Sequence, residues 1–338
     1  MNSNNIAIII PYFGKLPSWF NLFLISASKT KIVTFILFTD DETKFNYPIN
    51  FNVNYCSFAD LSKMFKKTLG QSIYLENPYK ICDYRPAFGK VFKDYIGEFS
   101  FWGHCDIDII FGDIDKYLLN ANYQNFDRTF TYGHFSIYSN TDKINNAFTI
   151  KLNHIPKFFD INYVKKTSYP CNFDEVGMNV IIKESGFSFF EKSYCANVNS
   201  NFIKYRLGSG VYEYPSFLAY VGSSVYEFKL VEGEYETKEF MYFHLQNRGE
   251  INSEEKITND FVISHKGFFS FNKNSFATYF AEIGSKETEY EQQEFNKFTK
   301  EKEKKNTINK IKREFFYKKG LIFSLLINRY LALKWLNS

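Results

Sequence analysis

Cysteine is scarce in this 338-residue chain, and its five copies, at positions 56, 82, 105, 171 and 195, form no Cys-x-x-Cys pair and no zinc-site spacing with the five histidines. The simplest reading is a set of reduced thiols in a reducing compartment. Long apolar runs are missing as well. The N-terminal MNSNNIAIIIPYFGK has no basic leader and only five apolar residues, Ile6 to Ile10, ahead of Pro11. It reads as neither a signal peptide nor a membrane span, so a cytoplasmic location is expected. No internal repeat is visible, which removes solenoids and propellers. The formal net charge is +4, but residues 297–338 carry 12 Lys or Arg against 3 Glu, a net of +9 that leaves −5 on the remainder. A mildly acidic body does not suit a nucleic-acid binder, whose positive charge lines a folded groove.

What is present is the composition of a folded protein: 45% hydrophobic and 23% charged residues, in a chain long enough for one large domain and an appendage. The 20% aromatic share, with 40 Phe and 25 Tyr, is read as compositional bias and core material. Residues 5–10 form a β-branched run closed by Pro11 and Gly14, the pattern of a buried parallel strand. A helix near Trp19–Ser28, a strand at Ile32–Phe38, a third near Phe51–Ser57 and an amphipathic helix over Ala59–Leu69 continue the alternation. Strands alternating with helices predict an α/β fold with a parallel sheet. Further on, the pattern predicts a helix over Ala87–Tyr95 after Arg85 and Pro86, strand-like alternation at Thr129–Tyr138, and a helix over Asp174–Glu184 ending near Gly186. Residues 187–245 read as strands and loops.

The segment FSFWGHCDIDIIFGDID, from Phe99, places Asp106 and Asp108 at the end of an apolar run. Side chains alternate along an extended segment, so both carboxylates face one way. In an open parallel sheet the carboxyl ends of the strands form the ligand crevice. Two facing carboxylates repel unless a cation joins them. A hard divalent ion, Mn²⁺ or Mg²⁺, supplies that charge and completes its shell with phosphate oxygens and water. The tripeptide alone is weak, because most such pairs are solvated turn residues; the strand-end position is what raises it. Asp113 and Asp115 repeat the spacing but read as caps for a helix over Asp115–Leu119.

Four segments, IIIPYFG (8–14), CDYRPAFGKVF (82–92), FWGHCDIDIIFGDI (101–114) and YGHFSIYSN (132–140), with weaker FDEVGMN (173–179) and YFHLQNR (242–248), resemble bacterial GT-A glycosyltransferases of capsule and O-antigen loci. The resemblance spans about residues 6–250 and leaves the tail uncovered. It implies a Rossmann-like nucleotide-diphospho-sugar transferase fold over residues 1–285, with a charged helical linker and basic amphipathic segment over 286–338. It also implies a hexosyltransferase activity that moves a sugar from a nucleotide diphosphate, of the uridine kind, to a glycan or lipid-linked acceptor.

Carried over residue by residue, Asp106 lies near the ribose and the metal, Asp108 ligates the metal and His244 is the third ligand. Without the resemblance, a lone His in an aromatic strand reads as a core residue. Pro11, Tyr12 and Phe13 would hold the base, and Thr39 and Asp40 would read its edge; they read equally well as loop residues. Asp83 and Arg85 resemble residues that contact donor hydroxyls and phosphate, with Arg85 where Lys is commoner in the family. Lys90 follows a turn later, and a surface lysine is its default reading. Gly133 and His134 would line the sugar site, with a buried structural His as the alternative. Glu175, with Asp174, stands where inverting enzymes place the base for the acceptor hydroxyl; helix capping also explains both.

Between Lys297 and Lys319 there are ten basic residues, followed by LIFSLLINRYLALKWLNS. These stretches are too short to span a bilayer, but an amphipathic helix there can lie on an anionic membrane surface, the inner face of the cell membrane. A C-terminal helix packed on the core reads the same residues. Two other functions remain compatible with the acid pair: a metal-dependent nucleotidyl or phosphoryl transferase, and a non-catalytic glycan-binding or membrane scaffold protein.

Overall fold

In a computed structural model, the chain is described over residues 5–153, 159–199, 206–207, 214–246, 257, 259–264 and 267–282, with four isolated positions beyond. The tail expected to form a linker and an amphipathic segment lies outside the described residues apart from those positions. No helix among the described residues is long and apolar enough to cross a membrane.

The protein is a mixed α/β structure. Strands β1 (Ile6–Pro11), β2 (Val33–Thr39), β3 (Phe51–Tyr55) and β4 (Phe101–Cys105) form a parallel group in the order β3-β2-β1-β4. That is the order of a doubly wound sheet, in which the chain starts at the centre, winds outward and returns to the other side of its first strand. β1, β2 and β4 are buried almost end to end, as expected for strands covered on both faces. Strand β5 (Ile109–Phe111) leaves this sheet, whereas β6 (Arg128–Tyr132), β7 (Phe135–Ser139) and β8 (Phe189–Phe190) complete it, with β7 antiparallel to β4.

One face packs on the helix Phe20–Ala27 and the helix Ile114–Asn120, the other on Phe58–Leu69 and the segments from Pro78 to Ile96. The aromatic richness goes into this core: the Phe23 ring lies 5.4–6.1 Å from those of Phe20, Phe35, Phe51 and Phe111. Burying such a ring contributes about 1.5–3 kcal/mol.

Two further sheets follow. In the smaller, β9 (Cys195–Asn199), β10 (Arg206–Leu207) and a later strand, β14 (Tyr242–Gln246), join β5 in the order β10-β9-β14-β5. The other consists of β11 (Ser216–Val221), β12 (Ser224–Val231), β13 (Glu234–Phe240), β15 (Phe261–Ser264) and β16 (Gly267–Ser270). The helix Phe276–Glu282 shares an apolar cluster with it.

The helix expected over Ala87–Tyr95 is a correction. A 3-10 helix runs from Pro78 to Ala87, followed by Phe88–Val91 and Lys93–Ile96 with Phe92 between them. Asn77 starts it by accepting from the Lys80 amide, and Pro78 sits in the first turn, where its missing N–H is harmless. The Asp174–Glu184 helix also opens differently, with a π-helical turn over Phe173–Gly177 before Met178–Glu184. Neither acid caps it; Asn172, at φ +53°, precedes the turn. Asp113 does cap its helix, accepting from Lys116, whereas Asp115 bonds to Thr30 and the Lys31 amide.

Candidate metal centre

The reversal of winding between β1 and β4 is where doubly wound sheets bind ligands. Asp106 follows β4 there, its amide donating to the His134 carbonyl at 3.0 Å. The chain then bends rather than continuing extended, and passes into β5 in the neighbouring sheet. This changes the reason the carboxylates converge but not the outcome. β5 pairs antiparallel with β14, His244 against Ile109, and the Leu245 amide donates to the Asp108 carbonyl at 2.8 Å. Residues more than 130 positions apart are thereby placed together.

A ligand atom each from Asp106, Asp108 and His244 lies within 4.8 Å of the others, and Asp108 and His244 are buried while Asp106 is partly exposed. His244 Nε2 is 3.4 Å from Asp108 Oδ2 and 3.9 Å from Asp106 Oδ2. His244 Nδ1 lies 2.9 Å from Asn197 Oδ1 on the adjoining β9. A carbonyl oxygen only accepts, so Nδ1 carries the proton and Nε2 is the nitrogen that could ligate an ion. The His244 ring stacks on His134 at 4.1 Å, and His134 Nδ1 meets the Tyr242 hydroxyl at 3.0 Å. Two carboxylates and one imidazole suit a divalent ion.

Arg85 closes the other side. It donates to Asp106 Oδ1, to Asp174 Oδ2 at 3.0 Å and to the Gly133 carbonyl at 2.6 Å. Asp106 keeps Oδ2 toward the ligand cluster while Oδ1 is held by the guanidinium. Asp174 Oδ1 accepts from the Glu175 amide at 3.0 Å, so both of its oxygens are engaged. Burial, against the opposing pull of Arg85, pushes Asp174 up to about 6. Burial also raises Glu175, whose carboxylate takes a backbone hydrogen bond from Gly133. A Cβ at position 133 would come within 3.2 Å of Asp174 and 3.3 Å of Glu175, so glycine admits both acids to the site. The register shift between Thr129 and Tyr132, with Phe130 at φ +60°, bends β6 just before this turn.

Several residues expected to contact the donor are held in hydrogen bonds of the fold itself. Asp83 is buried; it pairs with Lys80 at 2.8 Å and accepts from the amides of Cys171 and Phe173, so it anchors that loop. Lys90 is exposed and donates to Asn146. Thr39 is buried, its hydroxyl accepting from the Asp41 amide, and Asp40 accepts from the Gly14 amide at 2.7 Å. These two shape the loop after β1, in which Gly14 adopts φ +96°. His134, expected beside the sugar, stacks on His244 and meets the Tyr242 hydroxyl. Pro11 and Tyr12 remain half-buried at the end of β1, and Phe13 leans on Phe58. Asn197 and Tyr242 carried no sequence signal, since each acts through a strand pairing.

The fold and the site together define an α/β protein with an Asp-Asp-His group at the switch point of a parallel sheet. The chain belongs to a family of unknown function (DUF6625), matched over residues 8–272. No curated protein matches it.

Proposed function

We propose that the protein is a metal-dependent glycosyltransferase of GT-A type that moves a sugar from a nucleotide diphosphate, of the uridine kind, to a glycan or lipid-linked acceptor in surface polysaccharide synthesis. One observation carries this reading: Asp106, Asp108 and His244 converge at the crevice of a parallel sheet, with Arg85 and Glu175 on the opposite side. A divalent ion there neutralises charge on a departing diphosphate. Asp108 and His244 would hold it from the buried side, and Asp106 from the open side. Arg85, rigid and always charged, is aimed where phosphate oxygens would lie. Asp174 fixes the guanidinium, since both its oxygens are already bonded. Glu175 is then the base for an acceptor hydroxyl, burial raising its pKa and making it a stronger proton acceptor than an ordinary carboxylate. The half-exposed end of β1 would receive the base of the nucleotide.

The test is a donor-hydrolysis assay across a panel of nucleotide sugars with Mn²⁺, read as free nucleoside diphosphate. Wild type is expected to release it and Asp108→Ala to lose metal-dependent release. Turnover unchanged in Asp108→Ala would remove the site assignment, and nucleoside monophosphate as the product would favour a nucleotidyl transferase.

A further inference from the structure

A 3-10 helix advances three residues per turn, so side chains three apart stand in columns along Pro78–Ala87. One column, Ile81 and Tyr84, is core. A second is the Lys80 and Asp83 pair, buried against the 171–173 loop. The third is Tyr79, Cys82 and Arg85. Arg85 reaches Asp106, Asp174 and Gly133; Cys82 is half-buried beside it; and Tyr79, at the far end of the column, is 70% exposed. The Tyr79 ring makes no hydrogen bond and no ring contact with a described residue.

We propose that Tyr79 is the platform for the donor's sugar, its ring lying against the C–H face of a pyranose. The inference rests on the glycosyltransferase reading. Its column puts Tyr79 on the same face of the 3-10 helix as Arg85, two turns away; partial desolvation first, and then Cys82, Asp106 and Asp174, push its phenol up against the lowering effect of Arg85. The order of groups along the site decides what it meets. Diphosphate oxygens belong at Asp106, Asp108 and His244, and an acceptor hydroxyl at Glu175. The sugar joins the two, and so lies between the diphosphate and the acceptor hydroxyl, on the side of the site that Arg85 borders. A nucleobase would lie past the diphosphate, at the end of β1. Phenolic rings suit this position: one face is apolar and the hydroxyl stays in water.

The experiment titrates UDP, UDP-glucose, UDP-galactose and UDP-N-acetylglucosamine, each with Mn²⁺, into wild type, Tyr79→Ala and Tyr79→Phe by calorimetry. Tyr79→Ala is expected to weaken the tightest UDP-sugar about tenfold and leave UDP unchanged, while Tyr79→Phe binds both like wild type. Unchanged binding of the UDP-sugar by Tyr79→Ala overturns the platform, and an equal loss for UDP and UDP-sugar overturns it by moving the ring to the base. If wild type binds neither UDP nor any UDP-sugar, the glycosyltransferase reading fails first and the platform with it.

Discussion

Arg85 and Asp174 are joined at 3.0 Å by one guanidinium nitrogen, while the other nitrogen holds Asp106. One largely buried cation, its side chain 13% exposed, therefore balances Asp106 at the candidate metal group and Asp174 beside Glu175. Removing one partner of a buried ion pair leaves uncompensated charge, which costs about 3–5 kcal/mol. Arg85→Ala is expected to lose that much stability in urea, and Arg85→Lys, lacking the planar fork, to recover only part of it. Mn²⁺ should raise the midpoint of Arg85→Ala more than that of wild type, because the ion replaces the missing charge beside Asp106. An Arg85→Ala midpoint equal to wild type would show that the bridge is not needed.

Asp83 lies two residues away yet belongs to the fold. Its carboxylate answers Lys80, with both side chains at most 2% exposed, and two amides of the 171–173 loop. Asp83→Ala should destabilise the protein by about 3–5 kcal/mol. At a temperature where the variant remains folded, its Mn²⁺ affinity should match wild type. A selective loss of metal or donor binding with unchanged stability would return Asp83 to the site.

The contrast between those neighbours explains how far the sequence could be read. Ile6–Ile10 and Val33–Phe38 declared themselves as buried strands because burial on both faces demands unbroken apolar runs. Asp106 and Asp108 were legible because their spacing is local. The 3-10 column was not: with Pro86 taken as the start of a helix, nothing separated the roles of Asp83 and Arg85. His244 emerged only through the family resemblance, since its meeting with Asp108 depends on β5 pairing with β14. Asn197 was invisible for the same reason, being brought to His244 by the parallel pairing of β9 and β14.

Acid should act on the protein through His134. Burial first, and His244 beside it, lower its pKa to about 3, against an ordinary value near 6.5. A base with a depressed folded pKa stabilises the native state above its unfolded pKa. That contribution is lost as pH falls from 6.5 toward 3, at up to about 1.4 kcal/mol per pH unit. Urea unfolding of wild type and His134→Gln between pH 7 and 4.5 should give a shallower pH slope in the variant. Parallel slopes would mean that His134 is not held neutral. Proton NMR of the native protein should show its imidazole resonances unmoved across the same range.

Asn197 offers the cleanest test of the candidate metal centre, because it touches a candidate ligand without being one. Its Oδ1 accepts the His244 Nδ1 proton at 2.9 Å, which turns Nε2 toward Asp106 and Asp108. Partners of this kind fix the tautomer and orientation of a ligating imidazole, and their loss lowers metal affinity about 10- to 100-fold. Asn197→Leu should weaken Mn²⁺ binding by that factor in a paramagnetic-resonance titration, with nothing else added. Asn197→Asp, which still accepts the proton, should bind within a few-fold of wild type. His244→Ala should be at least as weak as Asn197→Leu, and adding Asn197→Leu to it should change little, since the asparagine acts only through that ring. Additive losses in the double variant would mean that Asn197 reaches the ion by another route, and an unaltered single variant would mean that His244 does not bind it.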